Sequence, residues 1–430
     1  MTSTIPTVLL IGTCDTKLDE LLYVHDKLVH DHGVHCKLVD VGRNACTHPS
    51  VAFRQANVFS RSGLPTPPDL MALPRGELIS TIIQHTIPLV STLHQQQEIH
   101  AAIGLGGSGG SSLCAEVMRA ALPLGFPKLI VSTVAGGDVH AYVGEDDVTM
   151  MHSVVDIAGL NDILCPILEN AAGAIAGMAR AQLTRVTNSA LSPNTGMFRS
   201  SPGEKRIAIT MFGVTTPAVT YARELLSAYP CTTYVFHATG AGGRALEKLA
   251  ESRYWSGILD VTTTELADAL LGGILSAGDK RLTAAATARI PQVVSLGALD
   301  MCNFGPMETV PSHYRTRKLF KHNPSMMLLR TSPEDCRILG RQVGERLRDA
   351  DPEITEVWIP KRGVSALSTE DEPFRDPEAD DALFMAVKGT LEGSKVRVVE
   401  VDKDINDKEF VEGVVYRLVE MMGMSRLDER

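Results

Sequence analysis

Nowhere in the 430 residues do two cysteines stand as Cys-x-x-Cys, and none of the eight pairs with a histidine at zinc-finger spacing. His-Glu-x-x-His is missing as well, so a tightly held catalytic transition metal is not expected. The cysteines are dispersed and read as buried apolar residues in a reducing compartment. Basic charge is scarce: 41 Lys and Arg stand against 51 Asp and Glu, a net charge of −10. Nucleic acid is therefore not an expected partner, because neutralising its phosphates needs clustered cations. The balance still permits one local basic pocket for a small anion. The first residues lack the basic segment of a secretory leader, and a cytoplasmic location is expected. No membrane span is expected either. The most apolar long stretch, 160–183, is interrupted by Asp162, Glu169, Asn170 and Arg180 and reads as a packed helix.

What is present is an alternation. Apolar runs of four to six residues alternate with helical patterns, the mark of parallel sheets covered by helices. Strands are expected at 7–11, 35–41, 99–104 and 128–133, with helices near 17–32, 75–97 and 111–121. Residues 42–74, which carry Pro49, Pro65, Pro67 and Pro68 and little periodicity, read as an irregular excursion. The polar stretch 186–204 reads as a linker between a first domain at 1–185 and a second at 205–430. Beyond it, strands are expected at 206–210, 232–237, 257–260 and 292–296, with helices at 217–228, 244–252 and 409–422. Runs at 326–330 and 356–360 are expected to extend the second sheet, with a further strand at 396–401. The fold class expected is α/β: two doubly wound Rossmann-like domains with parallel sheets facing a shared cleft.

Two glycine turns carry the functional signal. Between Gly104 and Ser112 stand five glycines and three serines, at the junction of a strand and a helix. Main-chain amides can approach a ligand closely there, and the helix end favours an anion. Gly104-Leu-Gly106-Gly107-Ser108-Gly109 satisfies Gly-x-Gly-x-x-Gly, but no acidic residue follows about 20 positions on to hold a ribose. A P-loop is excluded because Gly110-Ser111 stands where a lysine is required. The stretch Gly106, Gly107, Ser108, Gly109, Gly110 and Ser111 is thus either a generic phosphate or carboxylate cradle or a site of close helix–strand packing. Thr133, in another strand-end turn, is counted with it.

The second turn is Gly240-Ala-Gly242-Gly243-Arg244, with Asp260 lying 20 residues beyond Gly240. Arg244 either adds a forked donor to an anion site or forms a surface salt bridge. After the first strand comes Gly12-Thr13-Cys-Asp15-Thr16-Lys17, where Lys17 and the hydroxyls either contact phosphate or belong to an ordinary helix cap. Thr263, Thr264 and Glu265 pose the same choice after the 257–260 strand. His237, at a strand end, is a candidate general base or a structural hydrogen-bonder. Asp300 and Asn303 either bind a ribose or a magnesium-bound water or hold their turn. Ser108 is not a nucleophile elbow, since its glycines stand one position short of Gly-x-Ser-x-Gly.

Taken in order, these motifs resemble the uncharacterised protein family that includes the amino-terminal ATP-binding domain of the tomato mosaic virus resistance protein. The resemblance rests on Gly12-Thr-Cys-Asp-Thr-Lys, Gly106-Gly-Ser-Gly-Gly, Ile130-Val-Ser-Thr-Val-Ala and Ser153-Val-Val-Asp-Ile-Ala-Gly-Leu-Asn. It continues through Phe236-His-Ala-Thr-Gly-Ala-Gly-Gly-Arg-Ala, Leu259-Asp-Val-Thr-Thr-Thr-Glu and Gly297-Ala-Leu-Asp-Met-Cys-Asn-Phe-Gly-Pro. It implies two Rossmann-like subdomains, an ATP site at their interface, and assembly as a homodimer or larger. The barrel-like domain that some members add is not expected within these residues. One departure follows Gly363-Val-Ser-Ala-Leu, where Ser368-Thr-Glu-Asp-Glu-Pro replaces the family's Asp and Pro-Gly turn.

The expected function is binding of ATP with Mg2+ between the two halves. The alternative is a lyase or hydrolase of a small anionic carbonyl or carboxylate metabolite, with His237 and Glu265 transferring protons. A third reading is an interaction module whose nucleotide only stabilises the fold.

Overall fold

The first apolar run, Thr7–Gly12 (β1), is buried along its whole length, as a central strand covered on both faces must be. Its side chains alternate: Leu9 and Ile11 enter one hydrophobic cluster, Val8 and Leu10 the other. The computed structural model describes residues 5–65, 69–191 and 204–427, and the chain divides into two compact units, 1–197 and 198–430.

In the first unit β1 pairs in parallel with β2 (His35–Asp40) on one side. The sheet continues with β3 (Val51–Phe53), β4 (Ala101–Gly106), β5 (Lys128–Ser132) and β6 (Thr149–His152), in the order β3-β2-β1-β4-β5-β6. Every pairing is parallel. This is the doubly wound Rossmann order, and the strand order reverses between β1 and β4. The helices are α1 (Leu18–Asp26), α2 (Gln55–Arg61), α3 (Arg75–Gln95), α4 (Ser108–Ala121), α5 (His140–Val143) and α6 (Leu164–Leu191). Apolar residues of α3 and α4 cover one face, and those of α1 and α6 the other.

Two expectations change here. The 42–74 excursion contains β3 and α2, both too short to impose a readable period. Residues 186–191, expected in the linker, continue α6 to its end, since no proline or glycine interrupts them. The rest of that expected linker lies outside the described residues up to 203.

The second unit has strands β7 (Lys205–Met211), β8 (Cys231–His237), β9 (Gly257–Thr262) and β10 (Gln292–Gly297). Then come β11 (Met301–Phe304), β12 (Leu319–Asn323), β13 (Met326–Arg330), β14 (Thr355–Pro360) and β15 (Arg397–Val401). Six form a parallel sheet in the order β15-β14-β10-β9-β7-β8, with its reversal between β7 and β9. Its helices are α7 (Thr216–Leu226), α8 (Ala241–Glu251), α9 (Glu265–Leu271), α10 (Ala284–Ala288), α11 (Pro333–Leu347), α12 (Pro377–Leu391) and α13 (Lys408–Met421). Both units are Rossmann-like.

The 326–330 run does not extend that sheet. It is β13, the middle of a separate antiparallel sheet ordered β11-β13-β12. Only Pro324 and Ser325 separate β12 from β13, and so short a link permits only an antiparallel neighbour. No helix among the described residues is long and apolar enough to cross a membrane.

Candidate functional site

In a doubly wound sheet, ligands bind beyond the carboxyl ends of the strands, where the strand order reverses. The first unit has a cleft of about 540 Å3 at this place. Thr13, Asp15, Thr16 and Lys17 line it from the loop after β1, and Gly107, Ser108, Gly109 and Gly110 from the start of α4. Arg43 and Arg75 add charge, while Val41, Leu78, Ile79, Ile82 and Leu113 make an apolar wall.

The glycines of this turn serve two different purposes. A Cβ at Gly106 would stand 2.8 Å from the Cα of Gly110, so this glycine permits α4 to start directly against β4. A Cβ at Gly109 would meet only the Arg75 guanidinium at 3.1 Å and Ile79 at 3.5 Å, both side chains. No side chain caps α4, whose leading amides have no acceptor within the helix. Ser111 faces inward instead: its buried hydroxyl lies 2.6 Å from that of Ser132 and 3.2 Å from the Gly106 carbonyl. The Thr133 amide donates to the Gly106 carbonyl at 3.3 Å, tying the β5 and β4 strand ends together. Gly12 lies below the cleft, where a Cβ would collide with Leu21.

Several lining groups are held by the protein itself. The Lys17 ammonium donates to the Ile157 carbonyl. Asp15 Oδ2 accepts the amides of Arg43 and Asn44, each at 3.0 Å. The hydroxyls of Thr13 and Thr16 are 2.7 Å apart. Arg43 Nη2 donates to the Leu73 carbonyl at 2.8 Å. Arg75 differs: it is exposed and makes no hydrogen bond or ion pair among the described residues.

The sequence reading missed Arg43, Arg75 and a buried acid, Asp40. Asp40 ends β2 opposite Gly12. Its Oδ1 accepts the amides of Cys14 at 3.2 Å and Gly42 at 3.0 Å, and its Oδ2 that of Cys46 at 3.0 Å. The end of the second strand was the signal that could have found it. Arg75 carried no local signal, because only the packing of α3 on α4 brings it to the cleft.

The second glycine turn is filled from within. Glu265 Oε1 accepts the amides of Gly240 at 2.7 Å and Gly243 at 3.0 Å. Glu265 Oε2 accepts Arg281 Nε at 2.6 Å. Arg281 also grips Asp260 with two bonds of 2.7 Å and reaches Glu247 at 3.2 Å. All four side chains are buried, and Glu247 additionally accepts the amides of Leu282, Thr283 and Ala284. Burial pushes the Glu265 carboxyl above the usual range, even with Arg281 and two amides against it. A Cβ at Gly242 would stand 1.9 Å from the His237 carbonyl oxygen, and one at Gly243 2.1 Å from Glu265 Oε2. Close packing explains both glycines. Arg244 Nη1 donates to the Ser276 carbonyl at 2.9 Å. His237 is exposed, its ring 5.5 Å from that of Phe212, and no hydrogen bond joins it to the enclosed Glu265 among the described residues.

Thr263 and Thr264 follow β9 and Asp300 follows β10, whereas Asn303, expected in a turn, lies within β11, paired with Leu328. Thr263 donates to the Ser295 carbonyl at 3.1 Å. Asp300 Oδ2 accepts the Ser365 hydroxyl at 2.7 Å, and Asn303 Nδ2 donates to Asp268 Oδ2 at 2.8 Å. Three buried oxygens there, Thr264 Oγ1, Asp300 Oδ1 and Asn303 Oδ1, have no partner among the described residues. Burial pushes the Asp268 carboxyl up to about 7. The departing loop is part of the core: Ser368 Oγ accepts the amides of Val364 and Ser365, and Phe374 is fully buried. Among the described residues no group of three or more His, Cys, Asp or Glu could hold a metal ion.

Comparison with known proteins agrees over both units. The profile of the uncharacterised protein family (UPF0261) N-terminal domain matches residues 6–184, and that of its C-terminal domain residues 204–422. A UPF0261 protein of Clostridium tetani is 41% identical over 419 residues, covering 96% of this chain and 98% of that protein. One of Mesorhizobium japonicum is 42% identical over 409 residues, covering 95% and 97%. The ToMV resistance protein Tm-1 of Solanum lycopersicum is 35% identical over 440 residues, covering 98% of this chain but 56% of that protein.

Proposed function

The chain belongs to the uncharacterised protein family UPF0261, and we propose that it binds a nucleotide, ATP with Mg2+, with the phosphates in the cleft of the first unit. One observation carries this reading: the uncapped start of α4 opens into a cleft beside Arg75, which has no partner among the described residues. Helix-end amides and a guanidinium are the donors that a phosphate takes. The apolar wall of Val41, Leu78, Ile79, Ile82 and Leu113 suits the flat face of a base. The resemblance to a family with an ATP-binding domain points to the same ligand.

The donor chemistry also fits the magnesium ion. Asp15 is the carboxylate lining the cleft, and its Oδ1 makes no hydrogen bond among the described residues, so it suits a magnesium-bound water. Mg2+ would neutralise phosphate charge there. A cytoplasmic location and assembly as a homodimer or larger go with the proposal, the latter read by sedimentation equilibrium.

Acid–base chemistry by His237 and Glu265 has less support, since Glu265 is enclosed and already holds two amides and Arg281. Titration calorimetry of the full chain with Mg-ATP, ADP and AMP tests the reading. Saturable binding that is weakened in Gly109→Val supports it. A folded sample that gives no heat with any nucleotide overturns it.

A further inference from the structure

We infer that the cleft recognises the phosphate chain rather than the base or ribose, and that Arg75 sets how many phosphates count toward affinity. This rests on the nucleotide reading above.

In this fold an acid near the end of the second strand holds the ribose hydroxyls. Asp40 occupies that place, but it is wholly buried and both its oxygens accept backbone amides. Asp15, the acid on the cleft wall, has Oδ2 held by two amides in the same way. Neither carboxylate has the pair of oxygens that a ribose diol takes.

Discrimination between bases needs hydrogen-bonding groups set against the base edge, and a site without them separates similar ligands poorly. Among the described residues the lining holds no Asn, Gln, His or aromatic side chain. Its wall away from the glycines is aliphatic: Val41, Leu78, Ile82 and Leu113. Such a wall accepts any base with nearly equal ease.

Among the described residues three cations line the cleft, and two are tethered by the protein: Lys17 gives one donor to the Ile157 carbonyl and Arg43 one to the Leu73 carbonyl. Arg75 has five N–H donors and no partner for them among the described residues. Its Nη2 lies 3.1 Å from where a Cβ on Gly109 would stand, directly over the α4 start. One phosphate on the α4 amides therefore leaves Arg75 to hold the next.

The test is calorimetry on the full chain with Mg2+, using ATP, GTP, UTP, ADP, AMP, adenosine and inorganic tripolyphosphate. The proteins are the parent, Arg75→Ala and Arg75→Lys. ATP, GTP and UTP are expected to bind within about threefold of one another, and tripolyphosphate to displace ATP. Arg75→Ala should weaken ATP roughly 10- to 100-fold while moving AMP by less than about threefold. Arg75→Lys should recover part of the loss, as a point charge without the fork. Two results overturn the inference: ATP binding about tenfold or more tighter than both GTP and UTP, or Arg75→Ala weakening AMP as much as ATP with an unchanged melting curve. If no ligand binds the parent at all, the nucleotide reading fails first and this inference with it.

Discussion

Glu265 Oε1 lies 2.7 Å from the amide nitrogen of Gly240, so the second glycine turn already holds an anion that the chain itself supplies. The first turn has the same strand–glycine–helix grammar, yet no side chain caps its helix. Similar sequences have thus been put to two uses. One stabilises the second unit internally, and the other leaves donors facing a cleft.

Removing the internal anion should be costly. Glu265→Ala leaves the amides of Gly240 and Gly243 unpaired and takes one carboxylate from Arg281, at a cost of about 3–5 kcal/mol. Glu265→Gln keeps an oxygen for the amides and should cost less. Urea unfolding of the two variants reads the difference. Mg-ATP affinity, measured on the same samples while folded, should not change.

Glycines three residues apart should respond in opposite ways. Gly106→Ala drives a Cβ to 2.8 Å from the Gly110 Cα, backbone that cannot step aside, and should cost about 1–3 kcal/mol. Gly109→Val meets the movable end of Arg75 and should stay within about 1 kcal/mol of the parent. Its ATP affinity, however, should fall at least roughly tenfold as the phosphates lose close approach. Thermal melting and calorimetry on the pair separate packing from binding.

The sequence made the sheets legible because β1, β4, β5, β7, β9 and β10 are continuous apolar runs, the pattern of strands covered on both faces. It was less informative where local pattern is weak: β3 spans three residues, and β6 lies at a sheet edge with both end residues exposed. Gly106 to Gly110 marked one wall of the cleft. Arg75 was not legible, since its relevance arises only when α3 packs against α4, and Arg43, in the loop after β2, belongs to no motif. The second turn shows the limit of a motif. Gly240, Arg244 and Asp260 met the spacing of a dinucleotide site, while Arg281, which makes Asp260 structural, belongs to no motif.

Arg244 is expected to matter for stability more than for ligand. Its bond to the Ser276 carbonyl fastens the start of α8, and Arg244→Ala should lower the stability of the second unit by about 1 kcal/mol. ATP should bind the variant as tightly as the parent. A weakened affinity for ATP, with adenosine unaffected, would return this residue to the phosphate site.

Asp268 gives the second unit a pH dependence of definite sign. Burial raises its folded-state pKa from 3.8 to about 7, so the folded protein holds this proton more tightly than the unfolded chain. Its stabilising contribution is therefore full below about pH 4 and is lost as the pH rises through 7. Asp268→Asn should flatten the fall in urea midpoint between about pH 5 and pH 8. The substitution is accommodated if the Asn303 amide turns over, since its unpartnered Oδ1 can then accept from the new side chain. An unchanged slope in the variant would place the titration elsewhere.

The sheet order of the first unit has a bearing on its synthesis. β1 leaves the ribosome first, yet its partner across the reversal point, β4, follows only after β2, β3 and α3 have been made. The cleft joins Thr13 to Leu113, so a nascent chain that stops short of α4 lacks its glycine wall. A ligand that binds the finished cleft stabilises the folded unit by mass action and gives nothing to earlier lengths of chain. Nucleotide would act as a clasp on a completed sheet, and the early strands must find one another without it.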